Sequence, residues 1–195
     1  MSNVLILGAN GQVARYAIDL FLNETDATLT LYLRNSARLT NIDPNRVRVI
    51  EGDVRDTNKL KEALAGQDVV YANLAGDLEQ QAKSIVTAMD ETEVRRLIFI
   101  SSMGIYNEVP GEKFGSVLDA YRKSAKVIEA SDLDYTILRP AWFTDAGVIS
   151  YETTQKGQPF KGSVVSRKSV AALVVQLAES PELEVRRSLG VSKPE

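Results

Sequence analysis

Residues 4–14 read VLILGANGQVA, and this stretch decides the fold. The apolar run at residues 4–7 predicts a short β-strand that is buried on both faces. After the glycines, apolar residues recur at positions 13, 16, 17, 20 and 21, which is the spacing of an amphipathic helix lying on a sheet. The stretch therefore predicts a strand, a tight glycine-containing turn and a helix in direct succession.

The turn between these two elements has the spacing G-x-x-G-x-x-A, formed by Gly8, Gly11 and Ala14. The first glycine allows the sharp turn, the second lets a pyrophosphate approach the backbone, and the alanine lets the helix pack closely on the strand. The free N–H groups at the helix N-terminus favour phosphate oxygens. We therefore assign the phosphates of a dinucleotide to Gly8, Asn10, Gly11, Gln12 and Val13. An ordinary tight turn without a ligand is the alternative interpretation.

Segments of strand and helix character alternate along the rest of the chain. Further strands are predicted at residues 29–33, 47–50, 69–74, 97–100, 135–138 and 185–191. Helices are predicted at residues 59–65, 81–89, 117–130 and 170–178. Repeated βα units with short buried strands favour an α/β fold in which helices cover both faces of a parallel sheet. We predict a Rossmann-type doubly wound sheet, with a flavodoxin-like strand order as the alternative.

The domain organisation follows from the absence of linkers and repeats in the sequence. Residues 1–195 are predicted to form a single NAD(P)-binding domain. Within it, residues 141–165 have weak periodicity and are predicted to form a small irregular cap on the substrate side, in the C-terminal part of the chain.

Composition excludes several classes of chemistry. The chain has no cysteine and no histidine, so thiolate catalysis, a Ser-His-Asp triad and histidine-ligated metal are impossible. A metal site made only of oxygen ligands stays open as the alternative, but the sequence has no calcium-loop spacing, and we predict no metal site. The net charge of -3 leaves no excess of positive charge for a phosphate backbone, so nucleic acid is not an expected partner. Residues 2–7 lack the basic and long apolar regions of a signal peptide, and we expect a cytoplasmic protein that does not span a membrane.

The end of the second predicted strand indicates which dinucleotide binds. NAD sites often place an acidic residue there to bind the ribose 2′-hydroxyl group. Residues 33–38 read LRNSAR and contain no acid. The guanidinium of Arg34 has the planar donor arrangement that pairs with a 2′-phosphate. We therefore predict NADP (NADPH) as the cofactor, with a solvated surface arginine as the alternative.

Several motifs together resemble a known family. They are the turn at 8–14, Arg34, the sequence GDVRD at 52–56, ISS at 100–102, and SDLDYTILRP at 131–140. Over almost its whole length the chain resembles an atypical short-chain dehydrogenase/reductase of the NAD(P)H-binding, NmrA-like group, near the small flavin and biliverdin reductases. The resemblance implies that the adenine lies between Asp53 and Val54. It also implies a ribose contact at Asn73, Leu74, Ala75 and Gly76, and a nicotinamide contact at Ser101, Ser102 and Pro140.

The sequence departs from that family in its catalytic pair. Classical members use a tyrosine followed by lysine four residues later, and the lysine lowers the pKa of the tyrosine so that it relays a proton. Tyr121 has Ala125 at that position, and Lys123 and Lys126 are out of register on a helix. Ser102 and Tyr121 remain the catalytic candidates. Packing of the helix on the sheet is the alternative role for Tyr121, and Tyr106 is expected to be structural.

The acceptor site is predicted where strands end and aromatic residues follow. Met103, Trp142 and Phe143 are assigned to substrate binding, with packing as the alternative role. These features favour an NADPH-dependent reductase, a monomer or homodimer that transfers hydride to a small planar acceptor such as a quinone or flavin. An NADP-binding sensor without turnover is the alternative. A sugar-nucleotide epimerase relative is disfavoured by the missing Tyr/Lys pair and the short C-terminal part.

Overall fold

A central sheet organises the computed structural model, which describes residues 1–40 and 42–195. The strand order of this eight-stranded sheet is β3-β2-β1-β4-β5-β6-β10-β8, and all neighbouring strands are parallel except β8. The strands are β1 Asn3–Leu7, β2 Thr28–Leu33, β3 Val47–Glu51, β4 Val69–Ala72, β5 Arg96–Ile100, β6 Asp134–Pro140, β8 Glu152–Gln155 and β10 Arg187–Ser192. The first six strands have the order 3-2-1-4-5-6 of dinucleotide-binding proteins, which confirms the predicted Rossmann-type fold.

Helices cover both faces of this sheet. On one face α1 (Gln12–Glu24) packs against α5 (Arg167–Glu179). On the other face α3 (Leu78–Thr92) packs between α2 (Thr57–Leu64) and α4 (Asp119–Glu129). The interior strands β1, β2, β4, β5 and β6 therefore bury both of their faces, which is why they read as continuous apolar runs. The outer strands β3 and β8 keep exposed positions.

The core consists of two hydrophobic clusters separated by the sheet. In β1, Val4 and Ile6 belong to the cluster under α1 and α5, whereas Leu5 and Leu7 belong to the cluster under the other three helices. This alternation is the period-2 geometry of a strand. Gly8 directly follows the last residue of β1 and therefore lies at the carboxyl edge of the sheet. Ligands bind at this edge in such folds, at the point where the strand order reverses.

The segment 141–165 is more regular than the irregular cap that we expected. β7 (Trp142–Thr144) pairs in parallel with β9 (Val164–Ser166) in a small second sheet. β8 joins the edge of the central sheet, antiparallel to β10. The sequence of β8, ETTQ, has no apolar run, because only Thr154 is buried there. Its strand character comes from pairing with β10 and is absent from the local pattern.

Two smaller differences concern the ends of elements. The helix expected at residues 117–130 begins as a 3-10 turn at Gly115–Leu118 and continues as α4. The strand expected at 69–74 ends at Ala72, after which the N–H of Asn73 donates to the carbonyl of Leu7 at 2.9 Å. Among the described residues, no helix combines the length and the apolar composition needed to cross a bilayer.

Candidate functional site

The turn after β1 is fixed by close approach of the neighbouring loop. Gly8 has a φ of +77°, and its N–H donates to the carbonyl of Tyr32 at 3.0 Å. A Cβ on Gly8 would lie 2.1 Å from the carbonyl oxygen of Asn73, and a Cβ on Gly11 would lie 1.9 Å from Nδ2 of Asn73. Glycine is therefore required at Gly8, where a Cβ would meet backbone, whereas at Gly11 it would first meet the end of the Asn73 side chain. The sequence predicts only phosphates beside Gly11, whereas the structure places the side chain of Asn73 there.

The N-terminus of α1 points out of this turn with its donors available. Gly11 is the N-cap residue and provides no side-chain cap, and the first turn contains no acidic residue. The first N–H groups of a helix have no acceptor within the helix, and the helix dipole places partial positive charge there. Arg15 adds a guanidinium on the next turn, held by Oδ1 of Asn10 at 2.8 Å. The arrangement fits an anionic group such as a pyrophosphate.

A cleft of about 540 Å³ lies at the carboxyl ends of the first four strands. Its lining includes eight of the residues that the sequence assigned to the cofactor, namely Gly8, Asn10, Arg34, Asp53, Val54, Asn73, Leu74 and Ala75. The other assigned residues are not part of this lining, namely Gly11, Gln12, Val13, Gly76, Ser101 and Pro140. The lining also contains residues that the sequence argument did not assign, including Tyr32, Asn35, Arg38, Gly52, Arg55 and Gln81.

Two arginines stand on the β2 side of the cleft. Arg34 and Arg38 are both exposed and both line it. The chain between them is held by Glu51, whose carboxylate accepts the backbone N–H of Ser36 at 2.8 Å and its hydroxyl group. These hydrogen bonds lower the pKa of Glu51. The cleft therefore has two arginines in its lining next to the end of β2. Arg34 directly follows β2 and Arg38 ends the 3-10 turn Ser36–Arg38, so the loop brings both to the cleft.

Asp53 and Tyr32 shape the β3 side of the cleft. The carboxylate of Asp53 accepts the backbone N–H of Arg55 at 2.9 Å and its guanidinium at 2.9 and 3.1 Å, which lowers the pKa of Asp53 to about 2. The hydroxyl of Tyr32 donates to the carbonyl of Asp53 at 2.9 Å. Burial, followed by the charges of neighbouring carboxylates, raises the pKa of Tyr32 to about 12. The hydroxyl group lies 2.2 Å from where a Cβ on Gly52 would be, so only glycine fits there.

Two buried polar atoms near this edge have no partner in the described structure. Nε2 of Gln81 donates to the carbonyl of Ala75 at 3.2 Å, while its Oε1 has no hydrogen bond. Ser101 is 5% exposed, and its N–H donates to the carbonyl of Leu138 at 2.7 Å, but its Oγ has no partner. Buried polar atoms are nearly always hydrogen-bonded in proteins. Gln81 lines the cleft, whereas Ser101 lies at the end of β5, outside the cleft lining.

The catalytic candidates are not connected by the hydrogen bonds of the described residues. Oγ of Ser102 donates to the carbonyl of Met103 at 3.0 Å. Tyr121 is half-buried and packs against the cluster under α3 and α4. Nζ of Lys123 lies 3.9 Å from a carboxylate oxygen of Glu79, so this lysine contacts α3. Lys123 thus has a carboxylate partner on α3, and position 125, the fourth residue after Tyr121, is an alanine.

The residues assigned to the acceptor differ in exposure. Trp142 is 62% exposed and Phe143 is 38% exposed, whereas Met103 is buried. The guanidinium carbon of Arg167 lies 5.2 Å from the centre of the Phe143 ring. The N–H of Met103 donates to the carbonyl of Pro140 at 3.2 Å, which ties the loop after β5 to the end of β6. Only the two aromatic side chains therefore present a surface to a ligand.

A family model described as NAD(P)H-binding matches residues 8–181. The chain belongs to this NAD(P)H-binding family. A Rossmann-fold NAD(P)-binding family protein from Shigella flexneri has 45% sequence identity and a TM-score of 0.90, over 100% of this chain and 94% of that one. A wide-type short-chain dehydrogenase/reductase from Veillonella parvula DSM 2008, solved in complex with NADP, has 31% identity and a TM-score of 0.90, over 99% and 95%. The resemblance to short-chain dehydrogenases/reductases is confirmed.

The curated relatives have lower sequence identity to this chain than these two solved structures. YhfK of Bacillus subtilis, named as an uncharacterized sugar epimerase, is 22% identical over 94% of this chain and 91% of its own length. NAD(P)H azoreductase of Xenophilus azovorans is 22% identical over 91% of this chain and 64% of its own length. Quinone oxidoreductase 2 of Escherichia coli is 21% identical over 87% and 59%. The chain therefore spans less than two thirds of each of these two oxidoreductases.

Proposed function

We propose that this chain is an NADPH-dependent reductase that transfers hydride to a small planar acceptor such as a quinone or a flavin. The observation that carries the proposal is the cleft at the carboxyl ends of β1 to β4, which joins a phosphate-binding turn to a pair of arginines. The azoreductase and quinone oxidoreductase relatives support a planar acceptor, since their names describe such substrates.

The preference for NADPH rests on Arg34 and Arg38. A 2′-phosphate on the adenosine ribose would meet two guanidinium groups at the end of β2, each with donors suited to phosphate oxygens. Glu51, the acidic residue that β3 brings to this edge, is occupied by its hydrogen bonds from Ser36 and does not line the cleft. The neighbour solved with NADP supports the same choice.

At the nicotinamide end, the role of the protein is to bind the coenzyme and the acceptor and to orient them toward each other. A bound nicotinamide coenzyme supplies the hydride, and orientation is the main contribution required of the protein. Ser101 offers its unpartnered hydroxyl group to the nicotinamide end. Trp142 and Phe143 offer exposed aromatic faces against which a planar acceptor stacks. Quinones and flavins take a proton from water, so this chemistry does not require a Tyr/Lys pair.

The proposal is tested by NADPH oxidation with a panel of quinones, flavins, an azo dye and aldehydes, beside calorimetric titration with NADPH and NADH. We expect turnover with at least one quinone, flavin or azo compound, and little with aldehydes, whose reduction requires a proton donor for the alkoxide. Tight NADPH binding without any turnover would instead support an NADP-binding sensor. The observation that favours this second candidate is the contact of Lys123 with Glu79 on α3, which gives this lysine a partner other than Tyr121.

A further inference from the structure

A buried ion pair lies beside the candidate site and takes no part in the cofactor contacts described above. The side chain of Arg139 on β6 is 0% exposed, and that of Glu108, in the loop after β5, is 6% exposed. The guanidinium of Arg139 donates to Oε1 of Glu108. Burying two charges costs several kcal/mol each in order-of-magnitude terms, and apolar residues of similar size often stabilise a fold as well. Stability alone is therefore a weak reason for this pair.

The carboxylate of Glu108 organises the loop in which it lies. Its Oε1 accepts the N–H of Gly104 at 3.0 Å, and its Oε2 accepts the N–H of Tyr106 at 3.0 Å. Gly104 and Asn107 have φ values of +87° and +58°, so the backbone turns tightly around the carboxylate. This loop is the direct continuation of residues 101–103. Its conformation therefore determines where the two serines stand.

Arg139 is flanked by the two residues that hold the beginning of the same loop. The carbonyl of Leu138 accepts the N–H of Ser101 at 2.7 Å, and the carbonyl of Pro140 accepts the N–H of Met103 at 3.2 Å. Three consecutive residues of β6 thus hold the segment at three points, two through backbone carbonyls and one through the guanidinium.

The guanidinium is itself held by the neighbouring strand. Its Nε donates to Oγ of Ser188 and its Nη2 donates to the carbonyl of Ser188, both at 3.1 Å. Ser188 lies on β10. Glu108 is therefore anchored, through Arg139, to two strands of the central sheet, β6 and β10. A hydrogen-bonded ionic contact specifies a distance and a direction, whereas an apolar contact would tolerate sliding of the loop.

We propose that Arg139 and Glu108 are positioning residues: they hold the Ser101–Met103 segment in place relative to the nicotinamide end of the cleft. This inference rests on the proposed function, because it assigns a purpose to the unpartnered Oγ of Ser101. The pair touches neither coenzyme nor acceptor. It acts through the backbone of the loop.

The test uses two variants that preserve folding in different ways. Glu108→Asp keeps the charge but shortens the side chain by one methylene, so that the loop shifts toward β6. The double variant E108Q/R139M removes both charges at similar volume, which avoids leaving one buried charge unpaired. The control is Arg96→Met. Arg96 is also buried, 4% exposed, and donates to Thr136 and to the carbonyl of Leu183, at the amino edge of the same sheet.

Four measurements separate positioning from stability. These are the affinity for 2′,5′-ADP, which occupies the adenine end alone, the affinity and nicotinamide fluorescence of bound NADPH, and kcat with one active acceptor. We expect both pair variants to bind 2′,5′-ADP within about twofold of wild type, while NADPH fluorescence changes and kcat falls about a hundredfold, as for misplacement by about 1 Å. Arg96→Met should lower the melting temperature while kcat stays within about threefold of wild type.

Folded pair variants with wild-type kcat, and with a wild-type ratio of NADPH to 2′,5′-ADP affinity, would overturn the inference and leave the ion pair a structural role. If the wild-type protein turns over no acceptor, the proposed function fails. In that case the affinity ratio and the fluorescence still decide whether the pair positions the nicotinamide end.

Discussion

The proposed preference for NADPH over NADH is tested most directly at Arg34 and Arg38, which line the cleft at the end of β2. Arg34→Ala removes one of the two guanidinium groups beside the expected position of the 2′-phosphate. A hydrogen bond to a charged group contributes about 1.5–3 kcal/mol, and each 1.4 kcal/mol corresponds to about tenfold in affinity. Both side chains are exposed, so solvent screening places the effect at the lower end of that range. We expect NADPH affinity to fall about tenfold in Arg34→Ala.

Arg38→Ala should have an effect of similar size, and the double variant should lose about a hundredfold if the two guanidinium groups act independently. NADH lacks the 2′-phosphate, so its affinity should change by less than about threefold in all three variants. The preference of the wild type should also decrease as salt is raised, since the Debye length falls from about 10 Å at 0.1 M to about 3 Å at 1 M.

The assay is calorimetric titration of each protein with NADPH, NADH and 2′,5′-ADP at two salt concentrations. Arg48→Ala is the matched control, because Arg48 is an exposed arginine of β3 beside a hollow at the other edge of the sheet. Equal losses for NADPH and NADH would refute the reasoning, since the arginines would then stack on the adenine or support the loop. Strong loss in the control variant would indicate a general effect of net charge.

Three further predictions concern the rest of the site. Gly11→Val should weaken NADPH binding by about tenfold or more while the fold survives, because its Cβ first meets the amide end of the Asn73 side chain, which can rotate away. Gly147→Val, in open space, is the control, and unchanged calorimetric affinity would contradict the phosphate-binding role. Tyr121→Phe and Ser102→Ala should keep kcat/KM within about tenfold and Trp142→Ala should lower it further; a thousandfold loss in folded Tyr121→Phe would show that the tyrosine relays a proton. Arg55 lowers the pKa of Asp53 to about 2. The ionised carboxylate of Asp53 therefore stabilises the fold fully above about pH 4, and this contribution is lost as the pH falls through about 2. Asp53→Asn should therefore lower the melting temperature at pH 7, and the difference from wild type should shrink in melts at successively lower pH.

Much of the sheet could be predicted because its strands are buried on both faces. Leu5 and Leu7 pack below the sheet while Val4 and Ile6 pack above it, so the sequence must be apolar at every position. β8 could not be predicted in the same way, because a polar edge strand takes its conformation from its partner. Its Gln155 is paired with Leu189, more than thirty residues away along the chain.

The site divides in the same manner. The turn at Gly8 could be predicted because its backbone requirement is local, and the structure shows why a side chain is excluded there. Arg38 could not be assigned from spacing, because it reaches the cleft through the 3-10 turn Ser36–Arg38, which the sequence did not predict. Gln81 could not, because a polar residue on an amphipathic helix gives no sign that its amide oxygen lies buried at a cleft. Glu108 and Arg139 are recognised as a pair only once the loop and β6 are seen together.

These differences have a consequence for how the two ends of the site respond to substitution. The adenine and phosphate end is built from positions at which a Cβ would collide with backbone or with a buried ring, as at Gly8 and Gly52. The proposed acceptor end presents Trp142 and Phe143 from a short two-stranded sheet, with 62% and 38% of the two residues exposed. Larger residues at Gly8 and Gly52 should therefore disturb folding and coenzyme affinity together, whereas we expect substitutions at 142 and 143 to leave both nearly unchanged. If these two aromatic residues meet the acceptor as proposed, acceptor preference can change without loss of the coenzyme site.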